Sequence, residues 1–253
     1  MRFASLGSGS RGNATLLEAG GVRVLVDCGF AAREAERRLH LLGVPAGELD
    51  AILLTHEHVD HVRGVQTLAR RHRLEVWSTP GTWRRLSGRA LDRLRLFSGH
   101  DEGFHIGGLK VLPFPVPHDA REPCQFVFES GGHRLAVLTD TGYVTEHIRA
   151  RLRECDALLL ECNHDAEMLR RGSYPASVQA RVGGCYGHLS NRQAAELLDS
   201  LPHRGLRHLL VGHVSEQNNH PNLAKAALLS VSPGLASRIV VAEQGAVTPW
   251  LAL

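Results

Sequence analysis

Hydrophobic and polar positions alternate over the first thirty residues with the period of two that half-buried strands show, and glycine-rich turns interrupt the alternation. A β-meander is predicted over 2–6, 14–18 and 22–27. The period then changes. Ala35, Leu39 and Leu42 recur at helical spacing within 31–42, with Arg33, Glu34, Arg37 and Arg38 mostly on the other face, so this segment reads as an amphipathic packing helix. The run 51–54 reads as a buried strand, and Val62, Val65, Leu68 and Ala69 place a helix over 62–72. Residues 74–78 form a short strand, 80–86 begin a helix, and 94–112 is β-rich, broken at Gly99, Gly103 and Gly107-Gly108. Strands follow over 125–129 and 134–139 around Gly131-Gly132, then a helix over 144–155 and a buried strand over 157–160. The helix over 192–201 has Ser190 or Asn191 as its N-cap. A strand ending at His213, a helix over 223–229 and strands over 239–247 complete the chain. Both halves run strands first and helices after. With no long linker and no low-complexity stretch, residues 1–253 read as a single compact domain.

Composition narrows the setting. At 253 residues and 43% hydrophobic, the chain can bury one large core or two small ones. Five cysteines, an odd number with no C-x-x-C pair, read as reduced thiols of a cytoplasmic protein. The N-terminus lacks the apolar core of a signal peptide, and no apolar run approaches membrane-spanning length. The 29 basic residues comprise only two lysines, Lys110 and Lys225, the rest being arginine. An arginine-rich surface would suit phosphate. Yet 26 acidic residues nearly balance the charge at +3, and a nucleic-acid footprint needs a localised basic patch, so coding bias is the better account of the arginines.

The densest chemistry lies in Thr55-His56-Glu57-His58-Val59-Asp60-His61, directly behind the buried strand. On extended backbone His56 and His58 point the same way and Glu57 points away. Asp60 and His61 come after the chain has turned into a helix and face another direction, where they suit a second ion. A carboxylate with imidazoles fits zinc, manganese or iron. The zincin pattern H-E-x-x-H fails because Asp60 stands where the second His is needed, and the zinc-deaminase pattern fails because Pro123-Cys124 has no second Cys three residues on.

The H-x-H-x-D-H string resembles the signature of the metallo-β-lactamase-fold hydrolases, which implies a four-layer α/β sandwich of the αββα type with a two-metal site at the edge of its two sheets. The remaining motifs of that family follow in order. Asp27, after the strand 22–26, matches the Asp that supports the metal loop from behind. His118, in Phe114-Pro115-Val116-Pro117-His118-Asp119, matches the next ligand, and Asp140, in Thr139-Asp140-Thr141-Gly142, matches the bridging carboxylate. His213 matches the final ligand. The resemblance therefore implies His56, His58 and His118 on one metal and Asp60, His61, Asp140 and His213 on the other, the cofactors being two divalent ions, zinc or manganese, with iron as a further option. Glu161 and His164, in Glu161-Cys162-Asn163-His164-Asp165, line the cleft, steer protons or serve packing.

Gly187-His188-Leu189-Ser190-Asn191 resembles the nuclease branch of the family, including tRNA 3′-end processing enzymes, and makes His188 the general acid, with a helix-capping role as the alternative. Together with Gly7-Ser8-Gly9-Ser10-Arg11-Gly12-Asn13 and His213-Val214-Ser215-Glu216-Gln217-Asn218-Asn219, it resembles the YycJ/WalJ-type exonuclease subgroup. That implies 5′-to-3′ degradation of DNA by a hydroxide bound to two metals, with Asp60 and His188 as catalytic residues and no membrane partner. The Gly/Ser loop itself reads as a tight hairpin connection. Arg11, Asn13, Ser190, Asn218 and Asn219 are candidate substrate contacts, the asparagines being equally suited to bracing loops. Arg11 stands where the subgroup pattern has a serine. A thioester or lactam hydrolase of small molecules is the alternative, since the fold supports many chemistries.

Overall fold

The computed structural model of the chain describes residues 1–86, 91–202 and 205–253, which fall into two compact units. The first comprises Met1–Pro115, Ala120–His133 and Glu243–Leu253, the second Val116–Asp119 and Arg134–Ala242.

In the first unit the predicted meander forms as β1 (Arg2–Gly7), β2 (Ala14–Ala19) and β3 (Val22–Val26), antiparallel throughout. Helix α1 (Ala32–Leu41) then crosses to β4 (Ala51–Leu53), which lies parallel to β3. Ala35 and Leu39 are buried as the helical pattern requires. Arg38 departs from that pattern. It is buried, its Cζ 4.0 Å from the ring centroid of Phe30, and its guanidinium donates to the Leu6 and Gln244 carbonyls and to Glu34. Such a cation earns its place by carbonyl bonding and ring stacking, which hydrophobic periodicity does not register.

The helix expected over 62–72 is two helices, α2 (Val59–Val62) and α3 (Val65–His72). Gly64 marks the break, because a side chain there would enter the space of the Phe30 carbonyl and lie 2.8 Å from the Cys28 sulfur. Strand β5 (Glu75–Ser78), helix α4 (Pro80–Arg85) and strand β6 (Leu94–Leu96) extend the parallel run. An antiparallel ladder, part of the second seven-stranded sheet, is made by β7 (Phe104–Ile106), β8 (Leu109–Pro115) and β9 (Cys124–Ser130). It meets the first sheet where Phe104 stacks on Trp77 at 4.4 Å.

The second unit carries four parallel strands in the order β13-β12-β11-β10: β10 (His133–Leu138), β11 (Ala157–Glu161), β12 (His208–Gly212) and β13 (Ile239–Val241). Their connections carry α5 (Glu146–Leu152), α6 (Ala166–Arg171), α7 (Ala176–Val182), α8 (Asn191–Ser200) and α9 (Pro221–Val231). Helices α6 and α7 were not foreseen. The strand expected over 239–247 stops at Val241, and β14 (Leu251–Ala252) pairs with β1 in the first unit, completing its seven-stranded sheet. Among the described residues, no helix is long and apolar enough to cross a membrane.

The backbone of the metal-ligand loop is knitted to its neighbours. Cys28 N donates to the His61 carbonyl at 2.8 Å, Gly64 N to the Cys28 carbonyl at 2.9 Å and Asn13 N to the Asp60 carbonyl at 2.8 Å, while Gly29 N donates back to Asn13 at 2.9 Å. A Cβ on Gly29 would penetrate the Asp60 carbonyl and lie 2.6 Å from Asn13 N. Gly29→Ala must therefore spread three segments apart. The expected loss is about 1–3 kcal/mol, the range for overpacking, read as a thermal midpoint about 2–4 °C lower per kcal/mol lost.

Candidate metal centre

Two clusters of donor side chains, one in each unit, emerge from strand ends. In the first unit the fully buried β4 delivers Thr55 and His56. The imidazoles of His56 and His58 meet edge to face with centroids 4.6 Å apart, and His56 and His61 lie 4.2 Å apart. Asp60 Oδ2 is 3.5 Å from His61 Nε2. Behind them Asp27 ends β3 at φ 59°, a left-handed conformation costly for any residue but glycine. Its carboxylate is fully used. Oδ1 accepts from Thr55 N at 2.9 Å, and Oδ2 accepts from Thr55 Oγ1 at 2.7 Å and from His61 Nδ1 at 2.8 Å.

These bonds dictate tautomers. A carboxylate only accepts, so His61 carries its proton on Nδ1. Thr55 spends its one hydroxyl proton on Asp27, so His56 Nδ1, 2.9 Å from Thr55 Oγ1, is a donor too. Both rings therefore keep the Nε2 lone pair for a cation, the arrangement that metal-ligating histidines use.

The second unit repeats the device. Strands β10, β11 and β12 are adjacent and parallel, pairing Leu138 with Leu160 and Glu161 with Gly212, so their C-terminal ends bring Asp140, Glu161 and His213 to one edge. Asp140 and His213 sit at φ 51° and 53°, again left-handed. One ligand atom from each of Asp140, Glu161, His188 and His213 falls in a group whose members all lie within 4.8 Å of one another. Glu161 is fully buried; its Oε1 accepts from His188 Nδ1 at 2.7 Å and His213 Nδ1 at 3.1 Å, and its Oε2 accepts from Thr141 N and Leu189 N at 3.2 Å. Burial alone would push this carboxyl up. The electrostatic attraction of the His188 ring and the bonds from both imidazoles outweigh it and hold the carboxyl at about 2. His118 Nδ1 donates to the Gly187 carbonyl at 3.0 Å, and its Nε2 is 3.8 Å from Asp140 Oδ1. His118, His188 and His213 thus also keep Nε2 lone pairs. Five imidazoles in this tautomer beside carboxylates fit divalent cations of intermediate softness.

The other candidates are placed as follows. Asn13 is buried; its Oδ1 accepts from Ser8 and Gly9, while Nδ2 lies 3.3 Å from Asp60 Oδ2 and 3.2 Å from His61 Nε2. It braces the ligand loop, where a substrate contact was expected. Ser190 caps α8 in a capping box with Gln193, which commits its hydroxyl, and its substrate reading gives way to that cap. Asn219 exchanges amide bonds of 2.8 Å with Asn191 and donates to the Cys162 carbonyl at 2.8 Å, so it too braces a loop. Asn218 is buried, and among the described residues its amide has no hydrogen-bond partner. Arg11 is exposed. His164 is buried, pairs with Ser190 in a β-bridge, and has its imidazolium disfavoured by that burial. From the sequence, Glu161 stands only as a cleft-lining, proton-steering or packing residue; the signal it carries is a carboxylate ending the wholly apolar run 157–160. Thr55 and Asn163, which donates to the His213 carbonyl at 3.0 Å, were not singled out at all.

Strand-end histidines and carboxylates in this chain order define a class. The chain belongs to the metallo-β-lactamase superfamily: the model of the Beta-lactamase superfamily domain matches residues 22–213. Within it, the chain is 33% identical over 235 residues to Exodeoxyribonuclease YycJ of Bacillus anthracis, covering 91% of this chain and 89% of that protein. It is 32% identical over 234 residues to Exodeoxyribonuclease WalJ of Streptococcus pneumoniae serotype 2, covering 90% and 87%. The crystal structure of the metallo-beta-lactamase fold protein YhfI from Bacillus subtilis superposes with a TM-score of 0.74, at 19% identity over 98% of each chain. The fold is thus the α/β metallo-β-lactamase sandwich that the motifs implied, and the protein is a metal-dependent hydrolase.

Because Asp27 fixes both Thr55 and the His61 ring, Asp27→Asn should weaken divalent-metal retention by about 10–100-fold, the usual cost of losing such a support. Chelator competition against the wild-type protein measures it, and the far-ultraviolet spectrum checks that the variant folds.

Proposed function

We propose that the chain, residues 1–253, acts as one catalytic domain hydrolysing phosphodiester bonds of nucleic acid, as a 5′-to-3′ exonuclease on DNA. On the family's pattern, His56, His58 and His118 would hold one divalent ion, Asp60, His61 and His213 would hold a second, and Asp140 would serve both. Zinc or manganese suits this donor set, with iron a further option. When bound, the ions would make water acidic enough to attack phosphorus near neutral pH and would offset charge on the phosphate oxygens.

The observation that carries the phosphodiesterase reading is the state of His188. Its side chain is 20% exposed, against 0% for His118 and 4% for His213, so it alone of the three can be reached by a substrate. Glu161 accepts from its Nδ1 at 2.7 Å, so a second proton taken up on Nε2 is balanced by the carboxylate and can pass to the departing sugar oxygen. Asp60, 18% exposed beside Asn13, takes the proton of the attacking water. The similarity to two exodeoxyribonucleases over about nine-tenths of the chain supports DNA and the exonuclease mode. Five free cysteines, four of them buried, support a reducing, cytoplasmic setting.

The test is nucleotide release from 5′-labelled and 3′-labelled duplex DNA, single strands and matching RNA, with Mn²⁺ or Zn²⁺. Mononucleotides should come first from the 5′ end of DNA. His188→Ala should lower kcat about 10²–10⁴-fold, the usual worth of a general acid, while keeping its metal. Cleavage of thioesters or lactams with no strand degraded would overturn the reading.

A further inference from the structure

Three stretches of the second unit are tied into one knot around its donor cluster. Gly142 N donates to the Pro117 carbonyl at 2.8 Å, and Asp119 N donates to the Tyr186 carbonyl at 3.0 Å. The His118 ring is held by the Gly187 carbonyl at 3.0 Å. A Cβ on Gly142 would collide with the Cys185 carbonyl and lie 2.6 Å from Tyr186 N, so the loop after Asp140 lies directly on the loop before His188. Each of these two loops carries a tyrosine close to the donor it serves: Tyr143 three residues after Asp140, Tyr186 two residues before His188. The Thr141 hydroxyl donates to the Tyr143 carbonyl at 3.0 Å and fixes that turn.

Both rings are turned to solvent, Tyr143 43% and Tyr186 64% exposed, and among the described residues they are the two exposed aromatic side chains of the chain. Exposure of a large apolar ring is unfavourable, and elsewhere this chain buries or half-buries all of its phenylalanines and tryptophans. Arg181, 66% exposed, lies 3.5 Å from the carboxylate of Asp119, the residue whose N–H bonds to the Tyr186 carbonyl.

We propose that Tyr143 and Tyr186 are substrate-positioning residues that stack on nucleobases flanking the scissile phosphate, with Arg181 taking a neighbouring phosphate. The proposal rests on the nucleic-acid reading above. Stacking on a ring face is tolerant of sequence, since every base presents one, and suits an enzyme that must pass each nucleotide in turn. Rigid anchoring of both loops keeps the rings in register with Asp140 and His188, so stacking energy is spent on placing the phosphate.

The test compares the full chain, loaded with Mn²⁺, with Tyr143→Ala/Tyr186→Ala on two single-stranded oligonucleotides. One is ordinary DNA; the other has abasic residues at the terminal nucleotides of the end being degraded. For ordinary DNA the variant's KM should rise by about 5–150-fold for each ring removed, the range of one to three kcal/mol per stacked base. The abasic substrate should raise KM for the wild type but add nothing further in the variant, and Tyr143→Phe/Tyr186→Phe should restore wild-type KM. An unchanged KM on ordinary DNA, or an abasic penalty of equal size in both proteins, would overturn the proposal. So would a changed oligomeric state in sedimentation with KM unaltered, which would make the pair a contact between copies. Failure of the nuclease reading shows separately, as absence of degradation by the wild-type protein.

Discussion

A buried histidine has one N–H to give away, and the architecture of this protein answers that constraint five times in the same way. In the first unit Asp27 receives His61 directly and His56 through Thr55; in the second, Glu161 receives His188 and His213, and the Gly187 carbonyl receives His118. Each bond consumes the Nδ1 proton and leaves Nε2 as a base. Without these acceptors the imidazoles would be free to turn over or protonate, and their carboxylate neighbours would have to be neutralised by other means. The depressed carboxyl of Glu161 is the energetic signature: burial opposes its charge, and the two imidazoles more than compensate.

The strand ends supply the geometry at a local cost. Asp27, Asp140 and His213 each follow a strand in left-handed backbone, a conformation of order 1–3 kcal/mol above the usual for such residues. Two further non-glycine residues, Arg73 and Glu154, share it away from the clusters. What over-determines the three is the hydrogen bonding behind them and, for the second unit, the in-register ends of three parallel strands. The strain aims a side chain off the strand axis, which an extended residue would direct into one face of the sheet.

Much of this was legible in the chain. Ala51–Leu53 and Ala157–Glu161 are apolar runs with chemistry at the end, a pattern that marks a buried strand and its site together. The meander, α1, α8 and α9 were legible from period, Gly-rich turns and the Ser190 cap. What was not legible follows from the same logic. Helix α6 buries only Leu169 and α7 fully buries nothing, so neither writes a period. Arg38 bonds to the distant Leu6 and Gln244 carbonyls, Asn219 to Asn191 and Cys162, and Asn13 reaches Asp60 besides its neighbours Ser8 and Gly9, so their burial depends on partners that the local pattern does not show. Glu161 was visible as a carboxylate but its role was not, because both of its imidazoles arrive from later segments, at 188 and 213.

The proposed hydrolysis requires these donors to hold a pair of divalent ions, with Asp140 common to both. Metal content per chain, counted by mass spectrometry after saturation with Zn²⁺ or Mn²⁺ and exhaustive dialysis, tests it most directly. Two ions are expected in the wild-type protein, and loss of at least one in folded Asp140→Ala. A wild-type protein that retains none, or an Asp140→Ala variant that retains the full pair, would contradict it.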